Sequence, residues 1–303
     1  MAISTKRTAE PVKSKPKGTT HKAQRKRKTK TKKNTTKGWP QQVRRYLPGW
    51  PMWVGGGIVA ATCYFLLRAF FSSPVPDAVV APKGYTVRGI DVSHHQGPID
   101  WELLRNEATL NELPLAFAFI KATEGSDIVD SRFRQNFAEA RKYGIMRGAY
   151  HFYRTTTPAK RQAQHFISHV ELLPGDLPPV LDVEVAPQGI SAEAFRQGIL
   201  EWLARVEQHY GVRPILYTYY SFRQQYLNDP VFDLYPYWIA HYHVDSVRYK
   251  GAWAFWQHAD NGQLPGIKEK VDLNIFNGTY HDLEQLAIPD KSHSATTHTP
   301  SPN

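Results

Sequence analysis

From Met52 to Leu67 the chain carries no charged residue, and after Arg68 the apolar run continues to Phe71. A helix of about 20 mostly apolar residues is enough to cross the hydrocarbon core of a bilayer, and an arginine near one end can extend its charge to the interface. Residues 52–71 therefore read as one transmembrane helix, with Trp50, Trp53 and Tyr64 as interfacial aromatics. A cleaved signal peptide fits less well, because its basic region would run to Pro51 and no small-x-small cleavage site follows. Ahead of the apolar run, residues 1–51 hold 16 Lys and Arg and one acid, Glu10, a net charge of +15. Basic flanks stay on the cytoplasmic side, so the reading is a single-pass protein with its N-terminus cytoplasmic and residues 72–303 periplasmic or extracellular.

Residues 1–38 are Lys, Arg, Thr and Ser with few apolar side chains, and such a segment cannot bury enough surface to fold. The expectation is a disordered tail over 1–51 lying against anionic lipid head groups, where each nearby Lys or Arg is worth about 1 kcal/mol. That placement argues against nucleic acid as its partner. Residues 72–85, with Pro74, Pro76 and Pro82, read as a proline-rich tether. Residues 74–303 hold 21 Lys and Arg against 26 Asp and Glu, so the basicity belongs to the tail and the remainder is mildly acidic. Cys63, the single cysteine, excludes an intramolecular disulfide and a cysteine-based metal site. After Ile288 the composition turns to Ser, Thr, His and Pro, so 289–303 reads as a disordered end and 86–288 as the folded domain.

Eight short runs rich in β-branched and aromatic residues recur in that domain: 86–93, 116–123, 145–153, 179–184, 214–220, 237–242, 252–258 and 271–277. Their near-continuous hydrophobicity predicts strands buried on both faces of a parallel sheet. Three helices are predicted between them. One covers 132–143 and stops at Gly144, one follows Thr157-Pro158 and runs to about Glu171, and one opens at Ser191 and ends before Gly211. With the helices concentrated in the first half, the fold class is α/β, an irregular TIM-like β/α barrel. Barrel sites lie at the C-terminal strand ends, where the polar candidates are Asp91, His94, Glu124, His151, Asp182, Glu184, His241, His243, Gln257 and His258.

Asp182-Val183-Glu184 closes one of these strands. Positions i and i+2 of a strand share a face, with Cα atoms about 6.6 Å apart. Two carboxyls so placed repel when both ionise, which raises one pKa and creates a proton donor at neutral pH. Asp91, on the first strand, can point into the same mouth. Paired carboxyls are the equipment of glycosidic cleavage. Structural acids matched by Arg or Lys would have the same spacing. Aromatic residues in the strands, among them Tyr150, Tyr217 and Trp238, suit stacking on sugar rings, though filling of the barrel core accounts for part of them.

Seven segments occur in order: Gly-Ile-Asp-Val-Ser-His-His-Gln-Gly-Pro-Ile-Asp-Trp (89–101), Phe-Ile-Lys-Ala-Thr-Glu-Gly (119–125), Gly-Ala-Tyr-His-Phe-Tyr (148–153), Leu-Asp-Val-Glu (181–184), Trp-Ile-Ala-His-Tyr (238–242), Phe-Trp-Gln-His (255–258) and Val-Asp-Leu-Asn-Ile-Phe-Asn-Gly (271–278). Together they resemble glycoside hydrolase family 25, the Chalaropsis-type lysozymes, across residues 86–280. The resemblance implies a β5α3-type barrel and an N-acetylmuramidase that cuts the β-1,4 bond between N-acetylmuramic acid and N-acetylglucosamine of peptidoglycan, without metal or other cofactor, in cell-wall turnover. It implies Glu184 as general acid/base, Asp182 as the second carboxylate, and Asp91 and Asp272 as further acids of the site. Asp182 is then either a nucleophile or a guide for the substrate's own acetamido group. The resemblance also implies that Tyr150, Tyr217, Trp238 and Gln257 contact sugar. Two rival readings remain: a metal hydrolase using His241, His243, His94, His95, His151 or His258, and a catalytically inactive glycan-binding module of the envelope.

Overall fold

The computed structural model describes residues 81–110 and 113–290. The basic tail, the apolar run 52–71 and the end from 291 lie outside the described residues. No helix among the described residues is long and apolar enough to cross a membrane.

The chain runs β1 (Val87–Val92), α1 (Trp101–Glu107), β2 (Thr109–Leu110), β3 (Leu113–Glu124), β4 (Ile128–Val129), α2 (Phe133–Lys142), β5 (Met146–Phe152), α3 (Ala159–His169), β6 (Val180–Asp182) and α4 (Ala192–Tyr210). It continues through β7 (Ile215–Tyr219), α5 (Tyr220–Tyr226), β8 (Tyr237–Ala240), β9 (Phe255–Gly262), β10 (Val271–Phe276) and α6 (Tyr280–Leu286). The sheet closes on itself in the order β1, β3, β5, β6, β7, β8, β9, β10, because β1 pairs with both β3 and β10. The ring therefore has eight strands, where a β5α3 description names five. The two-residue β2 and β4 are hairpin partners of β3 outside the ring.

The predicted all-parallel sheet needs a correction. β10 runs antiparallel to both β9 and β1, and the remaining pairs of the ring are parallel. The cause is the connector. Only residues 263–270 join β9 to β10, and a parallel crossover needs about a dozen residues or more. A hairpin is the connection this length allows. No helix lies between β8 and β10, so the second half of the barrel is the irregular one.

Alternation along the strands separates two layers. Val87, Phe117, Tyr150, Val180, Tyr217, Trp238, Phe255 and Phe276 pack into one cluster. They come from every strand of the ring, so this cluster fills the barrel. Phe119 stacks on Trp238 at 4.4 Å and meets Phe255 edge-on at 5.0 Å. The second layer lies between sheet and helices. There Phe133, Phe137 and Ala140 of α2, Ala163 and Phe166 of α3, and Phe195, Ile199, Trp202, Leu203 and Val206 of α4 meet Ile90, Ile120 and Leu181. Ser191 caps α4 by accepting from Ala194 N at 3.1 Å, and Gly211 ends it in the left-handed region at φ 72°. α3 starts differently from the reading above. Pro158 is its N-cap and has no capping side chain, and the helix ends at His169 because Val170 is extended.

The bulky interior forces small residues opposite it. A Cβ on Gly89 would lie 2.3 Å from the Phe117 ring, and one on Gly148 would lie 2.5 Å from Phe119. Gly89→Ala and Gly148→Ala are each expected to cost about 1–3 kcal/mol, the range for overpacking a filled core, read from urea unfolding. A midpoint equal to that of the wild type would mean that the rings have room to move.

Residues 81–85 of the predicted tether 72–85 are packed, and 72–80 lie outside the described residues. Ala81 is 1% exposed, Pro82 O accepts from Arg88 Nη2 at 3.2 Å, and Tyr85 packs against Trp253 and Trp256. Residues 81–85 thus belong to the folded body. At the other end, Ile288 N donates to Asp176 O at 2.8 Å and Gly175 N to Ile288 O at 2.9 Å.

Candidate active site

Asp91 is the penultimate residue of β1, Asp182 ends β6, and Glu184 follows two residues later. These are C-terminal strand ends of one closed ring. Asp272 stands at the start of β10, and its strand is the antiparallel one, so its N-terminal end lies at the same rim. Asp91 and Asp272 are direct cross-strand partners. The backbone around the second pair is pinned from three sides. Tyr153 N donates to Asp182 O at 2.8 Å, Val183 N to Tyr217 O at 3.0 Å, and Thr218 Oγ1 to Val183 O at 2.6 Å. Val183 turns into the sheet–helix layer, so the carboxyls on either side of it share the opposite, inner face. The two carboxyls are hydrogen-bonded to each other.

Below the acids lies a polar network. Asp91 Oδ2 accepts from Gln257 Nε2 and Asn274 Nδ2, each at 2.7 Å. Gln257 Oε1 in turn accepts from the hydroxyls of Tyr217, at 2.7 Å, and Tyr242. Asn274 Oδ1 accepts from Trp238 Nε1 at 2.8 Å. At the rim, Tyr219 donates to Glu184 Oε2 at 2.6 Å.

Burial sets the electrostatics. It pushes the Asp91 carboxyl up, the Asn274 and Gln257 amides pull it back, and the outcome is about 6. Burial first, and then the charge of Asp91, raise Asp272 to about 9. Burial and the neighbouring Glu184 raise Asp182 well above the carboxylate range. One oxygen of Asp182, Oδ1, is buried without a protein partner. Burial likewise raises Tyr150, Tyr217 and Tyr242, which stay protonated as donors.

The four acids predicted from sequence converge. Of the predicted sugar contacts, Tyr150 is half-buried at the site, whereas Tyr217, Trp238 and Gln257 are at most 4% exposed and lie under the acids. Their first role is to hold Asp91 and Asn274, because their polar atoms are already engaged there. Other polar candidates lie elsewhere. His151 faces the sheet–helix layer, stacked on Trp202 at 5.5 Å, with its nitrogens bonded to Thr123 and Gln162. His258 is 8% exposed, with its ring against Trp256, which packs with Ile239 and Ile275 in a third cluster, apart from the one that fills the barrel. His241 stacks on Tyr220, and His94 bonds Asp130 at 2.7 Å. Among the described residues no group of three or more His, Cys, Asp and Glu is arranged to hold a metal. Burial raises Glu124, but Lys121 and Arg154 outweigh it and hold the carboxyl below its usual range. Glu124 is thus a structural acid matched by cations, unlike Asp182.

Asn274 was not among the sequence candidates, and Tyr219 and Tyr242 entered only among the strand aromatics suited to stacking on sugar. Asn274 was within reach of the same strand argument, since it stands two residues from Asp272 and shares its face. The tyrosines were counted only as aromatic surface.

A closed β/α barrel whose mouth holds two hydrogen-bonded carboxyl pairs over a polar floor is the architecture of a glycosidase. The sequence model of glycosyl hydrolases family 25 matches residues 90–267, and the chain belongs to that family and is a glycosidase of the lysozyme type. YegX of Escherichia coli K12 is 42% identical over 212 residues, which cover 68% of this chain and 75% of YegX. Lysozyme M1 of Streptomyces globisporus is 34% identical over 215 residues, covering 66% of this chain and 71% of the relative. The crystal structure of a bacterial lysozyme from Streptomyces coelicolor superimposes with a TM-score of 0.61 at 34% identity, covering 67% of this chain and 98% of that one.

Proposed function

We propose that this chain is a membrane-anchored N-acetylmuramidase that cuts the β-1,4 bond between N-acetylmuramic acid and N-acetylglucosamine in peptidoglycan, in the turnover of the cell wall. The observation that carries the reading is the hydrogen-bonded Asp182–Glu184 pair at the barrel mouth, with Tyr219 on Glu184 Oε2. The lysozymes among the relatives support the substrate class.

The pair holds one proton. Tyr219 occupies Oε2, so the proton passes from Asp182 to the other oxygen of Glu184 and from there to the glycosidic oxygen. As the bond from the anomeric carbon to that oxygen breaks, Asp182 is left ionised beside the developing positive charge. Asp182 then guides the substrate's acetamido oxygen onto the anomeric carbon or bonds that carbon itself. Glu184, now deprotonated, takes a proton from the water that completes hydrolysis. Tyr150 is placed for a sugar hydroxyl, and Tyr217, Trp238 and Gln257 act from beneath.

Mass analysis of fragments released from purified peptidoglycan by residues 74–303 tests the bond cut. Muramic acid at the new reducing end is expected. Glucosamine or an anhydro end there would reject the assignment. The anchor is tested at the chain ends. A reporter active only outside the cytoplasm is expected to work at the C-terminus and fail at the N-terminus, because of the +15 charge ahead of residue 52. The opposite pattern would remove the anchored reading. Removal of residues 1–73 is expected to leave a soluble, active domain. Removal through Tyr85 is expected to lower its stability, because Ala81 and Tyr85 are packed.

A further inference from the structure

We infer that Asp272 serves as a neutral hydrogen-bond donor to an ionised Asp91, a positioning acid rather than a base, and that Trp238, Asn274 and Gln257 fix the proton on its side. The inference rests on the reading of this mouth as a muramidase site and concerns where its protons sit.

The argument starts from a group with one hydrogen-bonding option. An indole N–H donates and never accepts. Trp238 Nε1 donates to Asn274 Oδ1 at 2.8 Å, so the other end of that amide, Nδ2, must face Asp91 Oδ2, as it does at 2.7 Å. Gln257 brings a second N–H to the same oxygen at 2.7 Å, and its own Oε1 is held by the hydroxyls of Tyr217 and Tyr242. A carboxylate oxygen offers about two in-plane acceptor positions. Both are filled, so Asp91 Oδ2 carries no proton. The proton of the pair therefore lies on the side where Asp91 faces Asp272, its direct cross-strand partner.

Two contributions decide which side holds it. The donors on Asp91 favour its charged form, since hydrogen bonds to an ionised group are roughly twice as strong as neutral ones. Among the described residues Asp272 has no such N–H donor. It faces like charge instead, from Asp91, from Asp260 on its hairpin partner β9 and from Glu184. Burial works the other way, because Asp91 is the more enclosed of the two. Glu184 faces both carboxyls, and the two charge-assisted bonds on Asp91, with Asp260 on the side of Asp272, outweigh it. The cation on this side of the barrel, Lys121, is engaged with Glu124 and acts on Asp182. The directions for Asp91, about 6, and Asp272, about 9, agree with this order. The mouth then presents one fixed anion in a set orientation, and Asp272 keeps it there.

The test reads the proton before it reads the rate. With 13C-carboxyl-labelled aspartate in residues 74–303, the Asp272 resonance is expected at its protonated position at pH 7, with Asp91 ionised. Ionised Asp272 beside protonated Asp91 overturns the inference. This measurement needs no substrate, so it stands apart from any failure of the muramidase reading. On peptidoglycan, Asp272→Ala is expected to lower kcat by more than about thirtyfold, and Asp272→Asn, which keeps a neutral donor, to recover activity to within about tenfold of wild type. Asp91→Asn is expected to lose about 10² or more. Equal losses for Asp272→Asn and Asp272→Ala would also overturn it. If either variant fails to fold, the resonance positions in the wild-type domain decide.

Discussion

Glu184→Gln is expected to lower kcat on purified peptidoglycan by about 10²–10⁴, the contribution of a positioned general acid/base, while thermal unfolding moves little. Glutamine keeps the shape of the side chain and leaves an amide oxygen for the Tyr219 hydroxyl, which lies 2.6 Å from Glu184 Oε2. What it lacks is a transferable proton. Asp182 cannot substitute, because its proton reaches the glycosidic oxygen through Glu184 and its own place is beside the anomeric carbon. The measurement is reducing-end release at matched protein concentration, with the melting temperature as a control. Activity above about a tenth of wild type in a clean preparation would move the acid/base role elsewhere. Tyr219→Phe makes a useful contrast. It removes one hydrogen bond to Glu184, worth about 0.5–1.5 kcal/mol net or up to 3 to a charged group, and is expected to cost far less than the glutamine.

Arg147→Met is expected to destabilise the domain by about 3–5 kcal/mol, the cost of leaving a buried charge without its partner. Arg147 and Asp176 are 6% and 1% exposed. The guanidinium donates to both carboxylate oxygens, at 2.8 and 2.9 Å, donates to Phe137 O at 2.6 Å, and lies 3.8 Å from the Phe137 ring centre. Asp176 also accepts from Leu173 N at 2.8 Å, and its backbone O accepts from Ile288 N. One ion pair thus links β5, α2, the loop into β6 and the end of the domain. Urea unfolding of residues 74–303 measures the loss. A value under about 1 kcal/mol would mean that Arg141, 3.1 Å from Asp176 Oδ1, takes over the charge. The double variant Arg147→Met with Asp176→Leu is expected to recover part of the loss, because no orphaned charge remains.

Much of this was legible before any coordinates. The strands announce themselves because both faces of each are buried, one in the barrel and one under the helices or, on β8 to β10, under side chains such as Tyr85, Tyr249 and Trp253, and a buried strand has little choice but continuous apolar residues. The carboxyl pair was legible from Asp182-Val183-Glu184, where period-2 alternation fixes the common face. The direction of β10 was missed. Hydrophobicity carries no arrow, and the informative feature, a connector confined to residues 263–270, was not weighed. Asp272 came only from family resemblance for that reason: on a parallel strand it would stand at the wrong end. The floor of the site was hidden for another reason. Trp238 and Gln257 read as sugar contacts or filler and Asn274 drew no role, because donor direction emerges only once three strands lie side by side.

The Asp91–Asn274 hydrogen bond joins residues 183 apart. It forms only when β1 and β10, the first and last strands of the ring, meet. Contacts of such sequence separation carry a large loop-closure entropy and come late in folding. A ribosome-bound chain that has not yet emitted β10 has Asp182, Glu184 and Gln257 but neither Asn274 nor Asp272 for Asp91, and a barrel open along one seam. Hydrolytic competence should therefore switch on in a single step with seam closure. A glycosidase with this chain order is expected to gain turnover only after β10 has been made, so the onset of its activity would report closure of the seam.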